Sequence, residues 1–187
     1  MNSIISSCVA QSWKRLPGAA VEISAKGSEV WVINAAQNIY RWTGSDWELK
    51  RGSAVRAGAS PDGWTWVVNS ADNIYRWNKN SNKWDQMPGA LVQIDAISKD
   101  RALGVNRVGN IYLWENNAWK QLPGAATWAG IGNGGERWVV NKAQQIFRWN
   151  HSTNVWDRMP GAAVNIDVQN PGRVIVTNAN DKIWDLY

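Results

Sequence analysis

The chain has 187 residues, 44% hydrophobic and 19% charged, with a net charge of +5. That is an ordinary globular composition, long enough for one core of useful size, and it excludes a disordered chain. The single cysteine, Cys8, excludes an internal disulfide framework and a cysteine-based zinc site, and no apolar run approaches the ~18 residues of a membrane helix.

Basic and acidic residues are interspersed, with no Lys/Arg run, so the sequence predicts neither a nucleic-acid partner nor membrane insertion. Residues 1–12, MNSIISSCVAQS, carry no positive n-region and no apolar run of signal-peptide length. The expectation is a cytoplasmic protein, or one released without a classical signal peptide. These twelve residues form an N-terminal extension, read either as an extra edge strand around Ile4-Ile5 and Cys8-Val9 or as a frayed tail.

From Trp13 onward the chain repeats. Marker tryptophans at 13, 47, 84, 119 and 156 begin five units, and four of the markers are followed by Pro-Gly-Ala, as in WKRLPGAA and WDQMPGAL. The copy at Trp47 reads WELKRGSA and lacks the proline. Between markers run VWVIN then NIYRW, WTWVVN then NIYRW, ALGVN then NIYLW, RWVVN then QIFRW, and VIVTN then KIWDL. Periodicity on this scale decides the architecture before any local detail does.

Four short strands are predicted per unit. In the first full unit they span Ala20 to Ala25, Glu29 to Asn34, Asn38 to Thr43 and Trp47 to Lys50, with Lys26-Gly27-Ser28, Ala35-Ala36-Gln37 and Gly44-Ser45-Asp46 as turns. The second and third strands are apolar on both faces, as in a sheet covered on both sides. The marker strand has a polar middle in every copy, which suits an exposed edge. Pro-Gly reads as a turn. Blades of this kind define an all-β, five-bladed β-propeller of four-stranded antiparallel blades, a single domain over residues 13–187. The chain starts on a fourth strand, Trp13 to Leu16, and ends after a third, Ile183 to Tyr187, so the first strand is expected to complete the last blade and close the ring.

The motifs PGAA, VWVIN and NIYRW, several positions of which recur in order five times over residues 13 to 187, resemble the tectonin repeat. The resemblance implies a β-propeller lectin that recognises microbial or other surface glycans, with lipopolysaccharide and O-methylated sugars as known ligands of relatives and a role in innate defence. Unit five departs most from the pattern, with Ile175, Trp184 and Asp185 where the others carry Trp, Tyr and Arg, and unit three carries Leu103 and Leu113.

The loops of constant length, Asn-x-x-x-Asn and Pro-Gly-Ala, fall on one rim, and repeated loops on one rim suggest one site used several times. Asn34, Asn69, Asn106, Asn141 and Asn178 end the second strand, with Asn38, Asn73 and Asn110 four residues on. Their amides suit sugar hydroxyls and equally suit capping of their own turn. Trp31, Trp66 and Trp138 offer an apolar face to a sugar ring or serve as core, and Arg41, Arg76 and Arg148 bind anionic groups or brace the blades. Tyr40, Tyr75, Tyr112 and Phe147 read as core, as do the marker tryptophans. No metal site, cofactor site or catalytic set is predicted: His151 is the only histidine, and Asp95 and Asp167 are repeat equivalents that need not meet. Two functions stand: a multivalent carbohydrate-binding lectin without enzymatic activity, or a protein-interaction propeller without sugar affinity.

Overall fold

The computed structural model describes residues 15–170 and 172–186. Nineteen strands in these residues form five antiparallel sheets, the blades of a five-bladed propeller. Blade one holds β1 (Glu22–Lys26), β2 (Glu29–Ile33), β3 (Ile39–Trp42) and β4 (Trp47–Lys50). Blade two holds β5 (Arg56–Gly58), β6 (Trp66–Val68), β7 (Asn73–Asn78) and β8 (Lys83–Ala90). Blade three runs from β9 (Gln93–Ser98) through β10 (Arg101–Val105) and β11 (Asn110–Glu115) to β12 (Ala118–Ala125). Blade four comprises β13 (Trp128–Ile131), β14 (Arg137–Val140), β15 (Gln145–Asn150) and β16 (Val155–Ala162), and blade five β17 (Asn165–Asn170), β18 (Arg173–Thr177) and β19 (Ile183–Leu186). Each sheet is a meander in chain order, so its first strand is innermost and its last outermost.

The fifth sheet has three strands among the described residues. Of the strand expected to complete it, Trp13 and Lys14 lie outside the described residues, and Arg15 and Leu16 are not in a strand. The extension, residues 1–12, also lies outside them.

The Pro-Gly-Ala segments correct one expectation. In blades two, three and four they are not turns but bulges inside the outer strand. In blade two Ile74 pairs with Met87 and Asn73 with Ala90, so Pro88 and Gly89 are looped out of the ladder. The same shift occurs in blades three and four. The bulge lets the outer strand bend back toward the axis. Its glycine adopts φ +92 at Gly89, a conformation that other residues enter only with strain. Beyond the bulge the chain bonds to the loop between the second and third strands of its own blade, as Leu91 N to Asp72 O (3.0 Å) and Ala126 N to Gly109 O (2.9 Å). Both repeated loops therefore share one rim.

Neighbouring blades are joined by the marker tryptophans. The indole Nε1 of Trp47, Trp84, Trp119 and Trp156 donates to the carbonyl just before the bulge glycine of the preceding segment: Pro17 (2.9 Å), Arg51 (2.7 Å), Pro88 (2.7 Å) and Pro123 (2.8 Å). Each marker also meets the aromatic opposite it on the third strand edge-to-face, with centroids 4.9–5.2 Å apart. Between blades one and two, Trp31 inserts against both Trp77 and Trp84 at 5.9 Å; Trp66 does the same against Trp114 and Trp119. Where unit three has Leu103, the cluster with Trp149 is aliphatic on one side. Four hydrophobic clusters thus alternate with the blades from one to five.

Close approach at the axis depends on a small residue: a Cβ on Gly58 would lie 2.8 Å from Asp95 Cα of blade three. Gly89→Ala is expected to destabilise the fold by about 1–2 kcal/mol from its positive φ, with crowding of Trp119, 3.3 Å away, adding to it. Trp119→Phe, which loses the indole donor and part of the ring packed on Trp66 and Trp114, should cost at least about 1 kcal/mol in urea denaturation.

Candidate functional site

Between successive blades, on the rim that carries the asparagines, lie grooves built from the same parts. One wall is the bulge and the alanines after it; the other is the second and third strands of the next blade. Gly124, Ala125 and Ala126 face Asn141, Phe147 and Trp156 across a groove of about 860 Å³. Gly18, Ala19 and Ala20 face Asn34, Tyr40 and Trp47 across one of about 760 Å³. Gly89, Ala90 and Leu91 face Asn106, Tyr112 and Trp119 across about 240 Å³. A fourth, about 420 Å³, has Gly161 and Ala162 against Asn178 and Trp184.

Asn34, Asn106, Asn141 and Asn178 are at the grooves, and half of each of the five amides is already engaged. Oδ1 of Asn34, Asn69, Asn106, Asn141 and Asn178 accepts from the backbone N–H four residues on, at 2.8–3.1 Å. This caps a three-residue hairpin loop whose last residue is left-handed, as at Gln37, Asp72 and Gln144. The capped N–H groups belong to Asn38, Asn73, Asn110, Gln145 and Lys182. The amide Nδ2 is what remains to meet a ligand, and at Asn141 it donates to Gln145 Oε1 (2.9 Å).

Trp31, Trp66 and Trp138 sit between blades, 0%, 0% and 4% exposed. No free face remains for a sugar ring on Trp31 or Trp66. The arginines lie away from the asparagines, toward the opposite rim, because Arg41 pairs in register with Trp31 near the far end of the strand. Arg41 is held bidentately by Glu29, Nε to Oε2 at 2.9 Å and Nη2 to Oε1 at 2.7 Å. Burial pushes the Glu29 carboxyl up, but the donors Arg41 and Trp31 outweigh it and hold the group below its ordinary value. Arg76 donates to Lys99 O (2.9 Å) and lies over Trp64 and Trp66; Arg148 lies over Trp138. Arg76 thus braces blade two against blade three, while Arg41 is tied within blade one.

Tyr40, Tyr112 and Phe147, expected in the core, are half-buried groove walls, and so are Trp47, Trp119 and Trp156. Strand alternation carried the signal. Tyr40 pairs with Val32 and Leu49, on the face opposite Trp31 and Ile39. The grooves are not identical: the largest is rimmed by Arg107 and Lys142, and Phe147 replaces tyrosine there. Arg107 is fixed by a bidentate pair with Asp72, at 2.7 and 3.0 Å.

The innermost strands surround an axial channel of about 420 Å³. Here Asp95 and Asp167 do come together. Lys26 crosses from blade one to donate to both oxygens of Asp95 (2.7 Å each), to Ala96 O (3.1 Å) and to Ile131 O (2.7 Å). Asp95 also accepts from Ala96 N and Ile131 N, both at 2.8 Å. Its lone pairs are committed to structure. Gln93 and Ala129 exchange two further bonds across the blades. Asp167 is surrounded by protein yet touched by channel solvent, and burial followed by the Asp95 charge raises its pKa against the pull of Lys26. Burial likewise raises Glu22 against Arg56. Among the described residues no group of three or more His, Cys, Asp or Glu side chains could hold a metal ion, and no helix is long and apolar enough to cross a membrane.

A blade meander around an axial channel, with one groove design repeated between blades, defines a repeat-built β-propeller with a recurrent candidate site. The Tectonin domain family model matches residues 19–187, and the chain belongs to that family. Tectonin-2 of Physarum polycephalum is 38% identical over 78 residues, 41% of this chain and 22% of that protein. Tectonin-1 of the same organism is 38% identical over 73 residues, 38% of this chain and 33% of its own length. The matches span a fifth to a third of these relatives. Among solved structures, human WBSCR16 superposes with a TM-score of 0.69 at 12% identity, over 86% of this chain and 58% of that one. The WD40 propeller domain of Doa1 gives 0.69 at 11%, over 90% and 63%. YCF48 bound to D1 peptide gives 0.61 at 17%, over 92% and 67%. These likenesses establish the fold.

Lys26→Met should cost about 3–5 kcal/mol, because it strands a buried Asp95 charge; adding Asp95→Leu should recover much of that loss in chemical denaturation. The raised pKa of Asp167 means that its stabilising share is present below the unfolded carboxylate value and lost as pH rises through the folded one. Asp167→Asn is therefore expected to raise the melting temperature at pH 7 and to leave it unchanged in acid.

Proposed function

We propose that this protein is a multivalent lectin that binds surface glycans through the inter-blade grooves. The observation that carries the reading is the recurrence, on one rim, of a groove with an aromatic wall, an alanine wall and an asparagine amide at its lip. Apolar surface beside a few polar groups suits a sugar, which presents C–H faces and hydroxyls together. The alanines and the Val32–Tyr40 and Val139–Phe147 rows also suit an O-methyl group, which has no hydrogen to donate. Glycans on bacterial or other cell surfaces are the proposed partners. Several weak grooves on one rim would engage a dense glycan layer with avidity and without any single tight site. Membership of the tectonin family supports the same reading.

The test is a glycan array that includes methylated and bacterial glycans, followed by calorimetry on any hit. Ala125→Trp, Ala90→Trp and Ala19→Trp each fill one groove with a side chain at a solvent-facing position. Each is expected to lower the binding stoichiometry by one site while leaving the melting temperature nearly unchanged. No binding to any glycan at high protein density, together with capture of one stoichiometric protein partner insensitive to sugar, would favour the protein-interaction reading instead.

A further inference from the structure

Unit four departs from the repeat at a buried position. The residue one before the second-strand tryptophan is Val30 in unit one, Thr65 in unit two, Ala102 in unit three and Val174 in unit five. In unit four it is Arg137, only 8% exposed. The strand places Arg137 on the face turned toward blade three, where its guanidinium lies over Trp149 at 5.7 Å. Its Nε is buried without a hydrogen-bond partner, and among the described residues no carboxylate pairs with it. The nearby Glu115 is instead 3.6 Å from Arg101 and 4.0 Å from Lys120. An arginine withdrawn from water and left without an acceptor is costly, and it needs a compensating anion.

Other cations converge on the same place. Arg101 of blade three reaches the blade-four loop, its Nη1 3.2 Å from the position a Gly135 side chain would take. His151 begins the loop just beyond Trp149. Burial, then the charges of Arg137, Arg101 and Arg148, push its imidazole below the ordinary histidine value, with Glu136 opposing. Burial also lowers Arg137, with Glu115 opposing and Arg101 reinforcing. The groups that face this point are Arg101, Arg137 and Lys120, with His151 at the loop, against Glu115, an excess of positive charge; Arg148, over Trp138, and Glu136, beside Gly132, lie on the other face of blade four. The place lies at the rim opposite the asparagine grooves, and nothing about it rests on the glycan reading.

We propose that this face between blades three and four binds a tetrahedral oxyanion, a phosphate or sulfate group, with Arg137 as the buried anchor and Arg101 and His151 at the mouth. A guanidinium presents a rigid fork of donors that matches such oxygens, and here it is already desolvated and oriented by Trp149. The anion sits at the mouth, compensates the Arg137 charge and relieves the repulsion between Arg101 and Arg137.

His151 is the only histidine, so its imidazole resonances report on the site without assignment ambiguity. The full chain is titrated across pH by NMR with inorganic phosphate, with sulfate, and with sodium chloride at matched ionic strength. Phosphate or sulfate should raise the His151 pKa toward the ordinary value in a saturable way, and chloride should not. Arg137→Met should weaken the apparent phosphate affinity by about tenfold or more, the loss of a charge-assisted donor set. Equal shifts in chloride and phosphate, which is screening alone, would overturn the proposal, as would phosphate affinity unchanged in Arg137→Met. If Arg137→Met does not fold, Arg101→Gln, at a half-exposed position, is read in its place. Several-fold weaker phosphate binding supports the site, and unaltered binding removes it.

Discussion

Four indole N–H groups, those of Trp47, Trp84, Trp119 and Trp156, each reach the carbonyl before a bulge glycine in the preceding segment, and the propeller depends on that bond. It requires a tryptophan at the start of the outer strand, because no other apolar side chain carries a donor at that reach. It requires an acceptor free of the ladder, which the bulge supplies at Pro88 and Pro123 and which at Pro17 and Arg51 lies outside the strands. It also requires a glycine beside it, since the ring lies against the place where a Cβ would stand. The marker tryptophan and the Pro-Gly-Ala segment are thus two halves of one joint, in neighbouring units of the repeat. The edge-to-face pairs and the buried Trp31 and Trp66 pack around that joint.

The same joint makes the grooves. The marker ring stands as one wall, and the bulge holds the alanines apart from the next blade. Structure and candidate function therefore share residues, and an alteration to the joint would be felt in both. At the axis a second constraint operates. Lys26 and Asp95 lock blades one, three and four through bonds that leave neither group free for chemistry. That part of the channel is accordingly structural, and the proposed binding lies on a rim.

The five units, the four strands of blades one to four, the antiparallel order and the shared rim of the two constant loops were legible in the sequence. Strand alternation and turn residues are local, and repetition multiplied their signal. The asparagine position was legible too: Oδ1 caps the turn, the second of its two readings, and sugar binding by the amide is the proposed role. Less legible were the bulges, because Pro-Gly has the same composition whether the chain turns or is looped out of a ladder. The aromatics were legible in part: of the two readings of Trp31 the core one holds, whereas Tyr40, read as core, lines a groove.

By itself the sequence determined what is periodic in this protein: the number of blades, the strands of each, the edge character of the marker strand and the rim on which the loops recur. These follow from spacing, which survives without coordinates. Only the tertiary structure decided which face of each strand meets which neighbour, and so which aromatic rings remain partly uncovered. The alternation of a strand names two faces but not their partners, and the partners are set by the stacking of one twisted blade on the next. Contacts between distant units share this origin. Lys26 on Asp95, and Arg137 without an acceptor beside Arg101, join residues that no spacing in the chain connects.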